Sequence, residues 1–436
     1  MAYRPDVRSG ARPLVRVLSI TRVTRVFVTC SEGLMSRFKL LAPIILAAAV
    51  AIPGIVCRLA GIELSAPVVT LIAGMAVMGA SFLLLWACDA AQADISQALA
   101  LAVVALIAVL PEYAVDMYFT WQAGKFPAGN YAHYAVANMT GANRLLIGVA
   151  WAVIVAVYYI KTRKEVRLEK ERRTELFFLG MATLYAFVVT FKGTLTWIDG
   201  IVFLGLYVWY LVIASKRPCV ECEVEGPAHV ILALPKTQRR LATIFMFLYA
   251  AGAILANAEP FCEGLIGTGK MLHINEFLLV QWLAPIASEM PEFVVAIIFA
   301  SRCQAGVALG SLLSAKLNQW TLLVGMIPAV YAISAGTLKH PIPMDHFQMN
   351  EILLTAAQSL LAVVMLAALS LSIGQALLLF ILFVGQLMAP SLISHLPGGT
   401  LFGITGNEMH RLFTAFYLVA VITMILDNPK RLKGFL

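Results

Sequence analysis

Two stretches of this chain place carboxylates and prolines inside long apolar runs. One reads Ala284-Pro-Ile-Ala-Ser-Glu-Met-Pro-Glu292; the other reads Ile107-Ala-Val-Leu-Pro-Glu112, with Asp116 four residues further on. A charged side chain near the centre of a bilayer costs about 2.5–3.5 kcal/mol on insertion scales. A proline inside a helix removes an amide donor and frees a carbonyl that something else must satisfy. A costly combination that recurs at matching places argues for a built site. The chemistry it suits is cation binding, because hard cations such as Ca2+ take about six to eight oxygens from carboxylates, amides and carbonyls. Helical spacing puts Glu289 and Glu292 on one face, and Glu112 and Asp116 on another. Asn138, Asn143, Ser288, Ser311 and Gln319 could add neutral oxygens.

The elements that must carry these residues are membrane helices. Apolar residues make up 61% of the chain and the mean hydropathy is +0.85, which excludes an ordinary soluble enzyme. The net charge of +8 does not mark a nucleic-acid binder. Its Lys and Arg cluster in residues 1–38, in Lys161–Arg173, in 216–240 and in the tail from Lys430, as the positive-inside rule distributes them. The arm 1–38 suits a basic helix lying on anionic lipid, with an organelle transit peptide as the alternative. Apolar stretches near 40–61, 66–88, 96–121, 131–159, 175–192, 199–215, 241–258, 273–300, 306–332, 351–371, 375–394 and 411–427 give about twelve spans. With the N-terminus inside, every strongly basic loop and the C-terminus fall on the same side. The expected fold class is therefore an all-α polytopic membrane protein.

In that count the first Pro-Glu lies on the third span, running outward, and the second on the eighth, running inward. An odd offset of five makes the halves inverted repeats, whose interface is where transporters hold substrate. The expected division is a basic arm 1–38, an extra helix 39–65, repeats 66–215 and 241–394 joined by a linker 216–240, and an extra helix and tail 395–436. Cys219 and Cys222 form a lone CxxC in the linker beside His229, a weak signal for metal or redox chemistry. No His/Asp/Ser or His-Glu-x-x-His constellation falls within the helices, so no enzyme activity is expected.

In each half a Pro-Glu helix is followed by a small-residue polar helix, and this pattern resembles the sodium/calcium exchanger (cation/calcium antiporter) superfamily, as a divergent bacterial-type member. The family motifs are Gly-Thr-Ser-Leu-Pro-Glu and Gly-Asn-x-x-Gly-Ser-Asn-x-x-Asn/Asp. This chain offers Ile107-Ala-Val-Leu-Pro-Glu112 with Ala137-Asn138-Met-Thr-Gly141-Ala-Asn143, then Ala287-Ser288-Glu289-Met-Pro-Glu292 with Gly310-Ser311-Leu-Leu-Ser314-Ala-Lys316-Leu-Asn318-Gln319. The resemblance implies a central cation site with Glu112 and Glu292 as the principal metal-binding carboxylates. Departures are specific. Ala108 and Val109 stand where the family has hydroxyls, Leu146 and Gln319 replace the closing Asn/Asp, and Asp116, Glu289, Arg144 and Lys316 add charge at or beside motif positions.

Four acids against two bases leave the expected site with an excess of two negative charges. Lys316 and Arg144 are open to two readings. They stand in for a coupling Na+ held by other family members, or they form structural pairs, Asp116–Arg144 and Glu289–Lys316. Asp89, Asp94, Glu259 and Glu263 are candidate vestibule acids or ordinary helix-end carboxylates, and His133 a candidate proton relay. The reading that follows is an inner- or plasma-membrane antiporter with both termini cytoplasmic, exchanging Ca2+ for H+ or Na+ and needing no cofactor. Na+/H+ exchange and a transport-dead scaffold with a self-neutralised site are the alternatives.

Overall fold

In a computed structural model, residues 20–94, 109–216, 226–394, 400–401 and 404–429 are described. Thirteen helices are described: α1 (Ile20–Ala60), α2 (Ala66–Gln92), α3 (Leu110–Lys125), α4 (Tyr131–Thr162), α5 (Lys170–Lys192), α6 (Trp197–Ala214), the short α7 (Ala228–Leu232), α8 (Lys236–Leu272), α9 (Glu276–Ser301), α10 (Ala305–Ala335), α11 (His346–Leu366), α12 (Ile373–Ser394) and α13 (Met409–Asp427). All but α3 and α7 contain a segment long and apolar enough to cross a membrane; in α1 it is Leu40–Ala60. The sixteen residues of α3 rise about 24 Å, short of a ~30 Å hydrocarbon core. Residues 95–108, which precede it, lie outside the described residues, as do the Cys219/Cys222 pair and the first nineteen residues of the basic arm.

The halves correspond helix for helix, α2–α6 with α8–α12. Both α4 and α10 are interrupted by a π-helical turn at the same place, Leu146–Trp151 and Gln319–Leu323. Both end on a left-handed residue, Arg163 and Gly336. The first helices of the halves, α2 and α8, pack on each other and on α1 through a core rich in alanine: Ala47, Ala51, Ala76, Ala80, Ala250 and Ala253. Small side chains let membrane helices approach closely where no hydrophobic drive brings them together. A two-residue ladder, β1 (Val166–Arg167) with β2 (Ser370–Leu371), ties the loop after α4 to the loop after α11.

Two sequence expectations change here. The stretch 259–272 is not a loop: α8 continues through Glu259, Pro260 and Glu263 to Leu272 and stops where His273 adopts a left-handed conformation. The two Pro-Glu pairs are also not equivalent in shape. Pro111 sits in the first turn of α3, where a missing amide costs nothing, whereas Pro285 and Pro291 lie inside α9.

Candidate cation site

Polar residues of α3, α4, α9 and α10 gather where the halves meet. Glu112, in the first turn of α3, is 2% exposed. A helix N-terminus presents unpaired amides and the positive end of its dipole, which suits a carboxylate there. Asp116, one turn on, is fully buried and accepts from Nδ2 of Asn138 on α4 at 2.7 Å. Glu289 on α9 is buried and accepts from Nε2 of Gln319 at the start of the α10 π turn. Glu292 is partly buried, with its Oε2 shielded.

Engaging each amide nitrogen with a carboxylate leaves the amide oxygens over. Among the described residues, Asn138 Oδ1 and Gln319 Oε1 are buried without a donor, and so are both oxygens of Glu112, Asp116 Oδ2, Glu289 Oε2 and Glu292 Oε2. Buried acceptors normally find donors, so a concentration of unmet ones marks a place where something else supplies the positive charge. Among the described residues no group of three or more His, Cys, Asp or Glu is arranged to hold a metal ion.

The π turns explain how polar contacts reach across the halves. A π turn draws carbonyls off the regular ladder. The Asn143 carbonyl then accepts from Lys316 Nζ at 3.4 Å and the Arg144 carbonyl from Gln358 Nε2 at 3.3 Å. Lys316 is fully buried; its ammonium donates to Asn143 Oδ1 at 2.7 Å and lies 4.4 Å from the centre of the Trp320 ring. The Tyr113 hydroxyl donates to Asn318 Oδ1 at 2.7 Å, holding α3 to α10. Gly141 is needed for the α4–α9 approach: a Cβ there would fall 1.9 Å from the Gln281 carbonyl, the one that Pro285 leaves without its helical donor.

Neither expected ion pair forms. Arg144 turns away from Asp116 and pairs with Glu351 on α11, with its guanidinium 5.3 Å from the Trp282 ring centre. Lys316 takes Asn143 and Trp320 rather than Glu289. The reason is geometric: Asn138 and Gln319 already occupy the acids, and the bases point to other helices. Ser311 is exposed rather than buried with the cluster, and the Ser288 hydroxyl folds back onto the Ala284 and Pro285 carbonyls at 3.3 Å. Asn143 serves Lys316 and is not a free oxygen. Of the outlying acids, Asp94 is bound by Arg239 and Arg240, Glu259 by Arg58, and Glu263 by the hydroxyls of Tyr118 and Tyr131. Hydrogen bonds from Arg239 hold the Asp94 carboxyl down to about 2.

Sequence reasoning passed over Glu351, Gln281 and His410. A signal existed for the first: Glu351, Thr355, Gln358 and Ser359 follow an i, i+4, i+7, i+8 spacing, and all four are fully buried on α11.

A family model described as sodium/calcium exchanger protein matches residues 65–216 and 242–391, the two groups of five helices. The chain belongs to this exchanger family. The crystal structure of an H+/Ca2+ exchanger, CAX, is 40% identical, covers 92% of this exchanger and 97% of its own chain, and superposes with a TM-score of 0.84. Native YfkE is 14% identical over 80% of this exchanger and 98% of that chain, with a TM-score of 0.58, and shares the fold. An uncharacterized membrane protein of Methanocaldococcus jannaschii, MJ0091, is 23% identical over 248 residues, 57% of this exchanger and 72% of that protein. Helices α1 and α13 fall outside the family match.

Proposed function

We propose that this protein is a secondary antiporter that exchanges Ca2+ for protons at the cluster formed by Glu112, Asp116, Glu289 and Glu292. The observation that carries the reading is the set of buried oxygens without donors on these four acids, Asn138 and Gln319. Ionised carboxylates cannot stay buried together without compensation. Arg144 does not supply it, since Glu351 consumes its charge, which leaves four carboxylates against the single ammonium of Lys316. The compensation must come from a cation or from protons on the same oxygens, and that competition is antiport. The set suits Ca2+, which accepts carboxylate and amide oxygens in flexible arrangements of about six to eight. Glu112 and Glu292 come from opposite halves, so rocking one half against the other would assemble and dismantle the site. The kinship with the H+/Ca2+ exchanger supports the same pairing. A self-neutralised scaffold loses its basis, because Arg144 is neutralised elsewhere.

Both termini are placed in the cytoplasm by the basic loops, notably Lys161–Arg173 and Lys236–Arg240, in a multi-pass protein of the inner or plasma membrane. Cysteine labelling should find positions 125 and 339 on the side opposite to position 164; labelling on one common side contradicts this orientation. The function itself is tested in proteoliposomes carrying a pH gradient. Proton-driven accumulation of Ca2+, with none of Na+ or K+, is expected. Accumulation of Na+ instead would move the assignment to Na+/H+ exchange, and the absence of any flux would refute antiport.

A further inference from the structure

Beside the cation cluster, and separate from it, lies a second buried polar group built around Glu351. Its Oε2 accepts from Arg144 on α4 and from Nε2 of Gln281 on α9 at 2.7 Å. Its Oε1 lies 2.8 Å from Nε2 of His410, the second residue of α13. Arg144 and Glu351 are 1% and 0% exposed, whereas the His410 side chain keeps 11%. The imidazole stacks edge-on against Phe347 of α11, with ring centres 5.4 Å apart. A helix outside the family match thus reaches a carboxylate that restrains the residue next to Asn143. Asn143 in turn holds Lys316.

We propose that Glu351 and His410 are positioning residues for Arg144, and that protonation of His410 weakens cation binding at the neighbouring cluster. The proposal rests on the cluster being the cation site. With His410 neutral, one carboxylate balances one guanidinium and the group carries no net charge. With His410 protonated, the carboxylate is shared between two cations and the group gains a positive charge in surroundings poor in water. Coulomb repulsion there is much stronger than in solution. That charge arises one residue from Asn143 and disfavours a divalent ion across α4. Among the described residues, the groups around His410 add no competing anion on the buried side. Arg144 comes from α4, Glu351 and neutral Asn350 from α11, and α12 has no charged residue between Ile373 and Ser394. Its own segment supplies the exposed Glu408, Arg411, which reaches Asn350, and the buried Tyr417. Acid on the His410 side would promote release of the ion that protons are replacing.

The test uses the full-length protein in proteoliposomes, with the half-saturating Ca2+ concentration measured across pH for wild type, His410→Gln and His410→Lys. Wild type should need more Ca2+ as pH falls. His410→Gln should lose a several-fold part of that rise, and His410→Lys, which keeps a positive charge at that place, should need several-fold more Ca2+ than wild type at alkaline pH. Profiles for both variants that superimpose on wild type overturn the proposal. If His410→Lys does not insert, His410→Gln decides alone by the same criterion. Glu112→Gln is the control: exchange that survives it refutes the cluster reading, whereas unshifted His410 profiles with exchange lost in Glu112→Gln refute only the positioning role.

Discussion

The carboxylate cluster and the Glu351 group are made of similar materials and are finished differently. Both are buried in the membrane-spanning part of the protein, and both bring acids together with amides from several helices. In the Glu351 group the carboxylate meets one guanidinium: Arg144 pairs with it, Gln281 adds a neutral donor, and the His410 imidazole lies 2.8 Å from its second oxygen. In the cluster the amides satisfy one oxygen each on Asp116 and Glu289, and five further carboxylate oxygens of the four acids have no donor among the described residues. Burial of charge alone therefore does not mark a transport site. The proposed site is distinguished by four acids whose counter-charge is left out.

Neutralising a cluster acid should have the largest effect, the loss of exchange. Glu112→Gln and Glu292→Gln should each abolish proton-driven Ca2+ flux, because each removes a charged oxygen and a titratable group together. Both should insert and remain folded, since no partner charge is stranded. Wild-type flux in either variant would remove that residue from the site.

The Glu351 group should respond the opposite way. Glu351→Gln strands Arg144 and should destabilise the fold by roughly 3–5 kcal/mol, the penalty for an orphaned buried charge. Replacing both partners with apolar residues, as in Arg144→Met with Glu351→Leu, should recover most of the lost thermal stability. A single variant as stable as wild type would show that the pair is not structural.

Much of this was legible in the sequence, for physical reasons that apply residue by residue. Apolar length and basic loops specify spans, and the Pro-Glu pairs specify where the membrane is made polar. The odd offset between those pairs gives the inversion. What the sequence could not decide was partner choice. Arg144 and Lys316 lie beside the expected acids in sequence, yet the helix turn of about 100° per residue takes their side chains to Glu351 and to Asn143 instead. Glu351 was passed over because it lies outside the repeated motif, although the polar stripe of α11 announced it. Ser311 was assigned by motif position, and the face it occupies on α10 is exposed.

Lys316 should give an effect of intermediate size. Its ammonium is held by an amide oxygen, a carbonyl and an aromatic face, with none of the four cluster acids as an ion-pair partner. Lys316→Asn should leave the protein folded and the cluster more negative, so Ca2+ should bind more tightly and flux should become responsive to Na+. A well-folded variant with unchanged ion preference would refute the idea that this lysine substitutes for a coupling ion.

The smallest effect concerns a pair outside the spans. Asp94 has a folded-state carboxyl held down to about 2 by Arg239, so its contribution to stability is present above the ordinary carboxylate range. As pH falls below about 4 toward 2, the carboxyl protonates and that contribution is lost. Asp94→Asn should therefore be less stable than wild type near neutrality and equal to it below pH ~2. A difference that persists unchanged in acid would contradict the assignment.

If one set of oxygens holds either the cation or protons, Ca2+ binding must displace protons. The most direct measurement is the number of protons released per Ca2+ bound to the purified protein, obtained by calorimetry in buffers of different ionisation enthalpy. Binding should release protons in wild type and release fewer, or fail altogether, in Glu112→Gln. Tight Ca2+ binding without proton release, or binding and release unchanged in Glu112→Gln, would contradict the account.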